Sequence, residues 1–132
     1  MLTEQVLRFI EGAGLAFVAS TDRDGNPHLA VGKGLKAVDA DHVAFENWFC
    51  QTTLRNVNQN PNVALSVCSA DAETGYQLLG VVTQTRDAAI LDGFAPEAEL
   101  PGTPQTLTQL VVRVREIMAF SAGVHTDLPL TP

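Results

Sequence analysis

Short apolar segments separated by turn residues run through most of this chain, and their spacing limits the folds open to it. Strands are predicted at residues 15–20, 28–31 with a continuation at 35–38, 43–45, 63–67, 76–83 and 110–120. About six strands at intervals of roughly 8–15 residues, joined by hairpin turns, favour an antiparallel barrel or sandwich over an alternating βαβ fold.

Turn residues and side-chain alternation refine these strands. Asp24-Gly25 predicts a hairpin turn between the first two strands. Residues 15–20 are predicted to form a buried strand. Gly32-Lys33-Gly34 predicts a bulge or a close approach of another group to the backbone. In the closing strand, alternation predicts one face with Leu110, Val112, Val114 and Glu116 and the other with Val111, Arg113, Arg115 and Ile117.

Two short helices interrupt the strands. Thr3 is a predicted N-cap of the first, which carries an apolar stripe and ends at two glycines. Thr52 or Thr53 is predicted to cap the second, which stops at Asn60-Pro61. A weaker helical region is predicted at residues 86–91 and 97–100.

Composition excludes several classes of function. The chain has 132 residues, the length of one domain spanning residues 1–132. Its formal net charge of −7 gives no broad electrostatic surface for nucleic acid or an anionic membrane. No segment approaches the roughly 20 apolar residues of a membrane span, and the first residues lack the pattern of a secretory signal.

Side chains with catalytic or metal-binding potential are scattered. Cys50 and Cys68 show no CxxC or Cys/His spacing and are predicted to be reduced, mostly buried thiols of a cytoplasmic protein. Three isolated histidines supply no metal-ligand cluster, so no metal site is predicted. No Ser/His/Asp arrangement is apparent, which argues against a hydrolase and leaves a cofactor protein or a binding module.

Two segments without acidic residues point to an anion site. None of the fifteen acids lies between residues 47 and 70 or between 26 and 38. Gln51, Thr52 and Thr53 lie at a predicted helix N-terminus, where free backbone N–H groups favour an anion, and Arg55 adds a fork of donors. The alternative is that Thr52 is only a helix cap.

Lysines and aromatic residues flank these segments. Lys33 and Lys36 are an odd number of residues apart, so only one can reach a given ligand in a regular strand. Trp48 and Phe49 either flank an aromatic ligand ring or pack in a core or interface. His28 alone is more often structural than catalytic.

The order of six short motifs resembles one known family. The motifs are Leu15–Ser20, Asp24–His28, Lys33–Asp39, Thr53–Val57, Asn60–Leu65 and Gly75–Gly80. Together they are similar to the short form of the pyridoxamine 5′-phosphate oxidase-like, FMN-binding split-barrel family, over residues 2 to about 83.

The resemblance implies a fold that is mainly β with short helices, a six-stranded antiparallel split β-barrel. It implies a homodimer with flavin sites at the interface, the FMN phosphate near Thr52-Thr53, and the ring against the backbone of Val31, Gly32 and Lys33. Family members commonly carry a lysine in the Thr52-Thr53 segment, and this chain has threonine at both positions.

The expected function is flavin-mediated hydride or electron transfer to a small-molecule substrate. No side chain is singled out as a catalytic acid or base. The alternatives are a flavin-binding or electron-carrier protein without its own substrate, and a family member that uses a deazaflavin, haem or no cofactor.

Overall fold

The computed structural model describes residues 1–71, 73–91, 105–123 and 128–130. Within these ranges the chain forms two helices and seven strands. They are α1 (Glu4–Gly12), β1 (Leu15–Thr21), β2 (Pro27–Lys33), β3 (Leu35–Ala37), β4 (His42–Trp48), α2 (Gln51–Gln59), β5 (Asn62–Cys68), β6 (Thr74–Leu91) and β7 (Gln105–Ser121). Neither helix of the described residues is long and apolar enough to cross a membrane.

All seven strands belong to one antiparallel sheet in the order β2-β1-β5-β6-β7-β4-β3. The sheet curls into a half-barrel, which confirms the predicted mainly β, split-barrel fold. The strand count is seven rather than six because Gly34, at φ +73°, breaks the predicted second strand into β2 and β3. The predicted hairpin turn is present, with the Gly25 N–H donating to the Asp22 carbonyl at 3.1 Å.

The concave face of the sheet holds the core. Val18, Leu65, Leu78 and Leu110 are fully buried on successive or facing strands. The prediction that residues 15–20 are buried is wrong for one face of β1. Alternate β1 side chains, including Phe17, are exposed because the outer side of this strand is not covered by another layer.

Helix α1 packs its apolar side against the sheet. The Thr3 hydroxyl accepts a hydrogen bond from the Val6 N–H at 3.3 Å, which confirms the predicted cap. Val6 and Ile10, one turn apart, are both 1% exposed. Phe9 meets Tyr76 edge to face, with ring centroids 5.2 Å apart.

Two sequence predictions fail along the β6–β7 hairpin. Residues 86–91 are not helical but continue β6, since their backbone pairs with β7 from Gln109 to Gln105. The predicted alternation of β7 holds to Val114 and then reverses, so Ile117 is buried and Glu116 exposed. The cause is a register shift: Gly80 pairs with Val114 and Leu79 with Glu116, which leaves one extra β7 residue. The predicted helical residues 97–100 lie outside the described residues.

Candidate functional site

A cleft of about 540 Å³ opens between edge strand β2 and the end of β4. It is lined by Leu15, Val31, Gly32, Lys33, Asn47, Trp48, Phe49 and Cys50. Val31, Gly32 and Lys33, the three residues predicted to lie against a flat ring, are therefore in one cavity. Its volume falls within the roughly 300–1,000 Å³ of small-molecule sites.

The backbone of β2 approaches an aromatic ring at Gly32. A Cβ on this glycine would lie 2.5 Å from Cζ3 of Trp48 and 2.9 Å from Cε1 of Phe45. Trp48 is 2% exposed and stacks obliquely on Phe45, with ring centroids 4.8 Å apart. The close approach predicted from the glycines is thus made by a protein side chain, and Trp48 forms a wall of the cleft while it packs in the core.

Helix α2 is fixed to the sheet by two amide side chains. Asn56 is buried and donates to the Ser20 hydroxyl at 3.0 Å. One turn later, Asn60 donates to the Thr21 hydroxyl at 2.9 Å. Both partners lie at the end of β1, so the second half of α2 is held against that strand.

The first turn of α2 carries the predicted anion-binding residues. The helix begins at Gln51 with Cys50 as its N-cap, and the Cys50 side chain makes no capping hydrogen bond. The predicted threonine cap is therefore wrong. Thr53 lies inside the helix and begins its buried side, which continues through Asn56 and Val57. The first backbone N–H groups of such a helix have no intrahelical partners.

The two threonine hydroxyls of this turn have different surroundings. Thr52 is half-buried, and its Oγ1 accepts a hydrogen bond from exposed Arg55 at 3.3 Å. Thr53 is fully buried, and its Oγ1 has no hydrogen-bond partner among the described residues. A ligand at the surface of the helix end can therefore reach the hydroxyl of Thr52 and the guanidinium of Arg55. The hydroxyl of Thr53 is inaccessible to it.

The two lysines have separate environments, as their spacing predicts. Lys36 forms an ion pair with Glu46 at 3.2 Å on the neighbouring strand. Lys33 lines the cleft and is exposed. The strand break at Gly34 does not bring both ammonium groups into the cavity.

A cysteine–histidine contact borders the same cleft. His28 Nε2 lies 3.3 Å from Cys50 Sγ, and both side chains are half-buried. Both cysteines are free thiols, but they are less buried than the sequence predicts. Sequence reasoning did not connect His28 with Cys50 because 22 residues separate them.

Leu15 and Asn47 also line the cleft, and sequence reasoning did not identify either residue. Leu15 is assigned to a buried strand by its apolar neighbours, although it is 47% exposed. Asn47 immediately precedes the aromatic pair Trp48-Phe49, which is the one local signal that could have indicated it.

A curled antiparallel sheet with a ligand-sized cleft at its open edge defines a split β-barrel domain. The sequence profile of the pyridoxamine 5′-phosphate oxidase family matches residues 2–118. The chain belongs to this family.

A related sequence and two solved structures are similar to this chain. An uncharacterized protein of Methanocaldococcus jannaschii is 27% identical over 126 residues, which cover 92% of this chain and 83% of that protein. An FMN-binding protein from Syntrophomonas wolfei has a TM-score of 0.66 at 16% identity, covering 95% of this chain and 88% of the other. An F420 reductase has a TM-score of 0.63 at 17% identity, covering 87% and 97%.

Proposed function

We propose that this chain is an FMN-binding oxidoreductase whose cleft holds the flavin ring and whose α2 N-terminus holds the phosphate. One observation carries the proposal: Cys50 lines the cleft and is also the N-cap of α2. A largely apolar cavity therefore leads directly to a turn of free backbone N–H groups. A flat ring with a phosphate on a short chain needs this combination.

The donor set suits a single phosphate group. Gln51 and Thr52 offer backbone N–H groups of the first helical turn, whereas Thr53, also predicted to bind the phosphate, is fully buried. The Thr52 hydroxyl and the Arg55 guanidinium lie within 3.3 Å of each other and add side-chain donors. The first turn of α2 carries no acidic residue that would offset this positive helix end. These donors take the role that a lysine commonly has in the family.

The ring would lie along β2. Val31, Gly32 and Lys33 border the cavity on one side, and Phe49, 51% exposed, borders it near the helix. When bound, FMN supplies hydride or electron transfer to a small-molecule substrate. The protein's own contribution is to orient the ring and to keep water from its apolar side.

We also propose a homodimer with its flavin sites at the interface. Phe17 pairs with Val31 and Ala19 with Leu29, so their side chains share the outer face of the β1–β2 hairpin. Leu29 is 65% exposed and Val31 is 53% exposed. This apolar patch is continuous with the cleft, because Val31 belongs to both. A second copy on the patch would therefore border the flavin.

Light scattering after gel filtration tests the dimer. Leu29→Glu introduces a charge into the patch and should give a monomer with weakened FMN binding. Val38→Glu is the matched control, since Val38 is 56% exposed and lies outside the patch. A dimeric Leu29→Glu protein, or a monomeric parent protein, contradicts the proposed interface.

Two other functions use the same cleft. The likeness to an F420 reductase supports a deazaflavin in place of FMN. A flavin-binding electron carrier without a dedicated substrate needs the same binding residues.

The two free thiols suit the reducing cytoplasm, which we propose as the location.

The deciding experiment is the visible spectrum and an FMN titration of the purified protein. Thr52→Glu should weaken FMN binding at least about tenfold, or roughly 1.4 kcal/mol, because it sets a carboxylate beside the phosphate. Asn58→Glu adds the same charge to the exposed side of α2, beyond the first turn, and should have little effect. Anaerobic bleaching by NAD(P)H separates a reductase from a carrier. A colourless protein that FMN does not stabilise, but a deazaflavin does, overturns the choice of FMN.

A further inference from the structure

Cys50 lines the cleft, its thiol contacts the imidazole of His28, and the flavin proposal gives neither group a chemical role. Cys50 Sγ and His28 Nε2 are 3.3 Å apart, well inside the distance at which a thiol donates to a ring nitrogen. The thiol comes from the β4–α2 connection and the imidazole from edge strand β2, so the pair spans the gap between them.

Neither side chain of this pair makes another hydrogen bond among the described residues, although Cys50 also packs against the edge of the hydrophobic core. Cys50 occupies the N-cap position without capping the helix. The Cys50–His28 contact is the one hydrogen bond found for the His28 ring in that part of the chain. Trp48, 2% exposed and also bordering the cleft, has an indole N–H without a partner among those residues.

We propose that Cys50 is a nucleophilic thiol, assisted by His28, that adds to small apolar α,β-unsaturated carbonyl compounds entering the cleft. The proposal concerns this chain's own residues and stands without a bound flavin.

The reaction is an addition that needs no further reactant. Cys50 Sγ forms a bond to the β-carbon of the unsaturated carbonyl compound, and the C=C π bond breaks. The thiol proton passes to His28 Nε2 as the C–S bond forms, and the π electrons move to the α-carbon and carbonyl oxygen. His28 then returns the proton to the α-carbon, which leaves a thioether and an intact carbonyl group.

The lining of the cleft favours this class of electrophile. Val31, Trp48 and Phe49 give apolar walls that suit an organic molecule, whereas a small polar oxidant such as a peroxide gains nothing from them. Exposed Lys33 supplies an ammonium group in the same cavity for the oxygen on which negative charge develops. The N-terminus of α2 also favours negative charge beside Sγ during the step.

The chain contains its own control for this reactivity. Cys68 is also half-buried and borders a second cavity of about 330 Å³. Its sulfur lies 3.8 Å from the Ser66 hydroxyl, and no histidine of the described residues forms a hydrogen bond with it. Cys50 therefore differs from Cys68 in having His28 beside it, as well as Lys33 in its cavity and the α2 N-terminus next to it.

The test is the rate of N-ethylmaleimide addition to each cysteine of the flavin-free protein, resolved by peptide mass spectrometry. Cys50 should react at least about tenfold faster than Cys68, since a general base contributes roughly 10²–10⁴-fold. His28→Ala should lower the Cys50 rate towards the Cys68 rate, and free imidazole in the buffer should restore part of it. His42→Ala removes a histidine outside the cleft and should change neither rate.

Equal rates at the two cysteines, or an unchanged Cys50 rate in His28→Ala, overturns the proposal. If Cys68 reacts faster in His28→Ala than in the parent protein, the variant has lost its fold. The ratio of the Cys50 rate to the Cys68 rate in the parent protein then tests the proposal alone. Saturating FMN should protect Cys50. Fast labelling of Cys50 without protection by FMN supports the thiol site while it contradicts the proposed flavin position, so the two proposals fail separately.

Discussion

Gly32→Ala is the smallest change that tests how the cleft is built. The added Cβ would lie 2.5 Å from Cζ3 of Trp48 and 2.9 Å from Cε1 of Phe45. Both distances are well below the roughly 3.5–4.0 Å at which carbon atoms attract each other. Neither ring can move freely, since Trp48 is 2% exposed and Phe45 is fully buried.

The expected cost follows from this overpacking. Forcing one extra carbon into a packed core costs about 1–3 kcal/mol. For a domain of this size, each kcal/mol lowers the Tm by roughly 3–5 °C, so Gly32→Ala should lower it by roughly 3–15 °C. Gly12→Ala is the matched control, because a Cβ there meets nothing within 4 Å. At the end of α1 this change should be neutral or stabilise by about 0.4–1 kcal/mol.

Calorimetry measures the Tm, and fluorescence reports on the ring itself. Trp48 is the single tryptophan of the chain, so any displacement of the indole from the core should shift its emission. The variant should also bind FMN more weakly, since the ring forms a wall of the cleft. An unchanged Tm together with unchanged emission refutes the packing argument.

Three further predictions concern single side chains. Asn56→Ala should destabilise the fold by about 1–3 kcal/mol in urea titrations, because it leaves the buried hydroxyl at the end of β1 unpaired; a loss below about 0.5 kcal/mol contradicts this. Hydrogen bonds from Asn26 hold the pKa of Asp22 below its ordinary value of 3.8, so the carboxylate stabilises the fold above that value and loses this effect as the pH falls through the lowered pKa. The Tm difference between the parent protein and Asp22→Ala should therefore be present at pH 7 and shrink in strong acid; a constant difference refutes it. Lys33→Met should weaken FMN binding in fluorescence titrations, whereas Lys36→Met, which removes an exposed ion pair, should not; equal effects contradict the assignment.

The sequence predicts the fold well where local patterns and the sheet agree. The hairpin at Gly25 and the cap at Thr3 depend on neighbouring residues alone, and both are correct. Residues 86–91 fail because pairing with a partner strand outweighs a weak local helical preference. The alternation predicted for β7 fails at Ile117 because of a bulge. A bulge depends on the register of two strands, which the alternation of one strand does not contain.

The candidate site is predictable only in part for the same reason. Val31, Gly32 and Lys33 are adjacent in sequence and share the cleft. The distinction between an accessible Thr52 and a buried Thr53 depends on how α2 lies on β1. The contact of His28 with Cys50 is a tertiary one, made by two elements that no local motif connects.

The break at Gly34 affects how the cleft is bounded. β2 and β3 are the opposite edges of the seven-stranded sheet, yet this single residue joins them in the chain. At this corner the two edges are connected by the chain itself and not by paired strands, and the connecting residue is a glycine at φ +73°. The two walls of the cleft, β2 and the end of β4, are thus linked in the chain through a one-residue junction and the short strand β3.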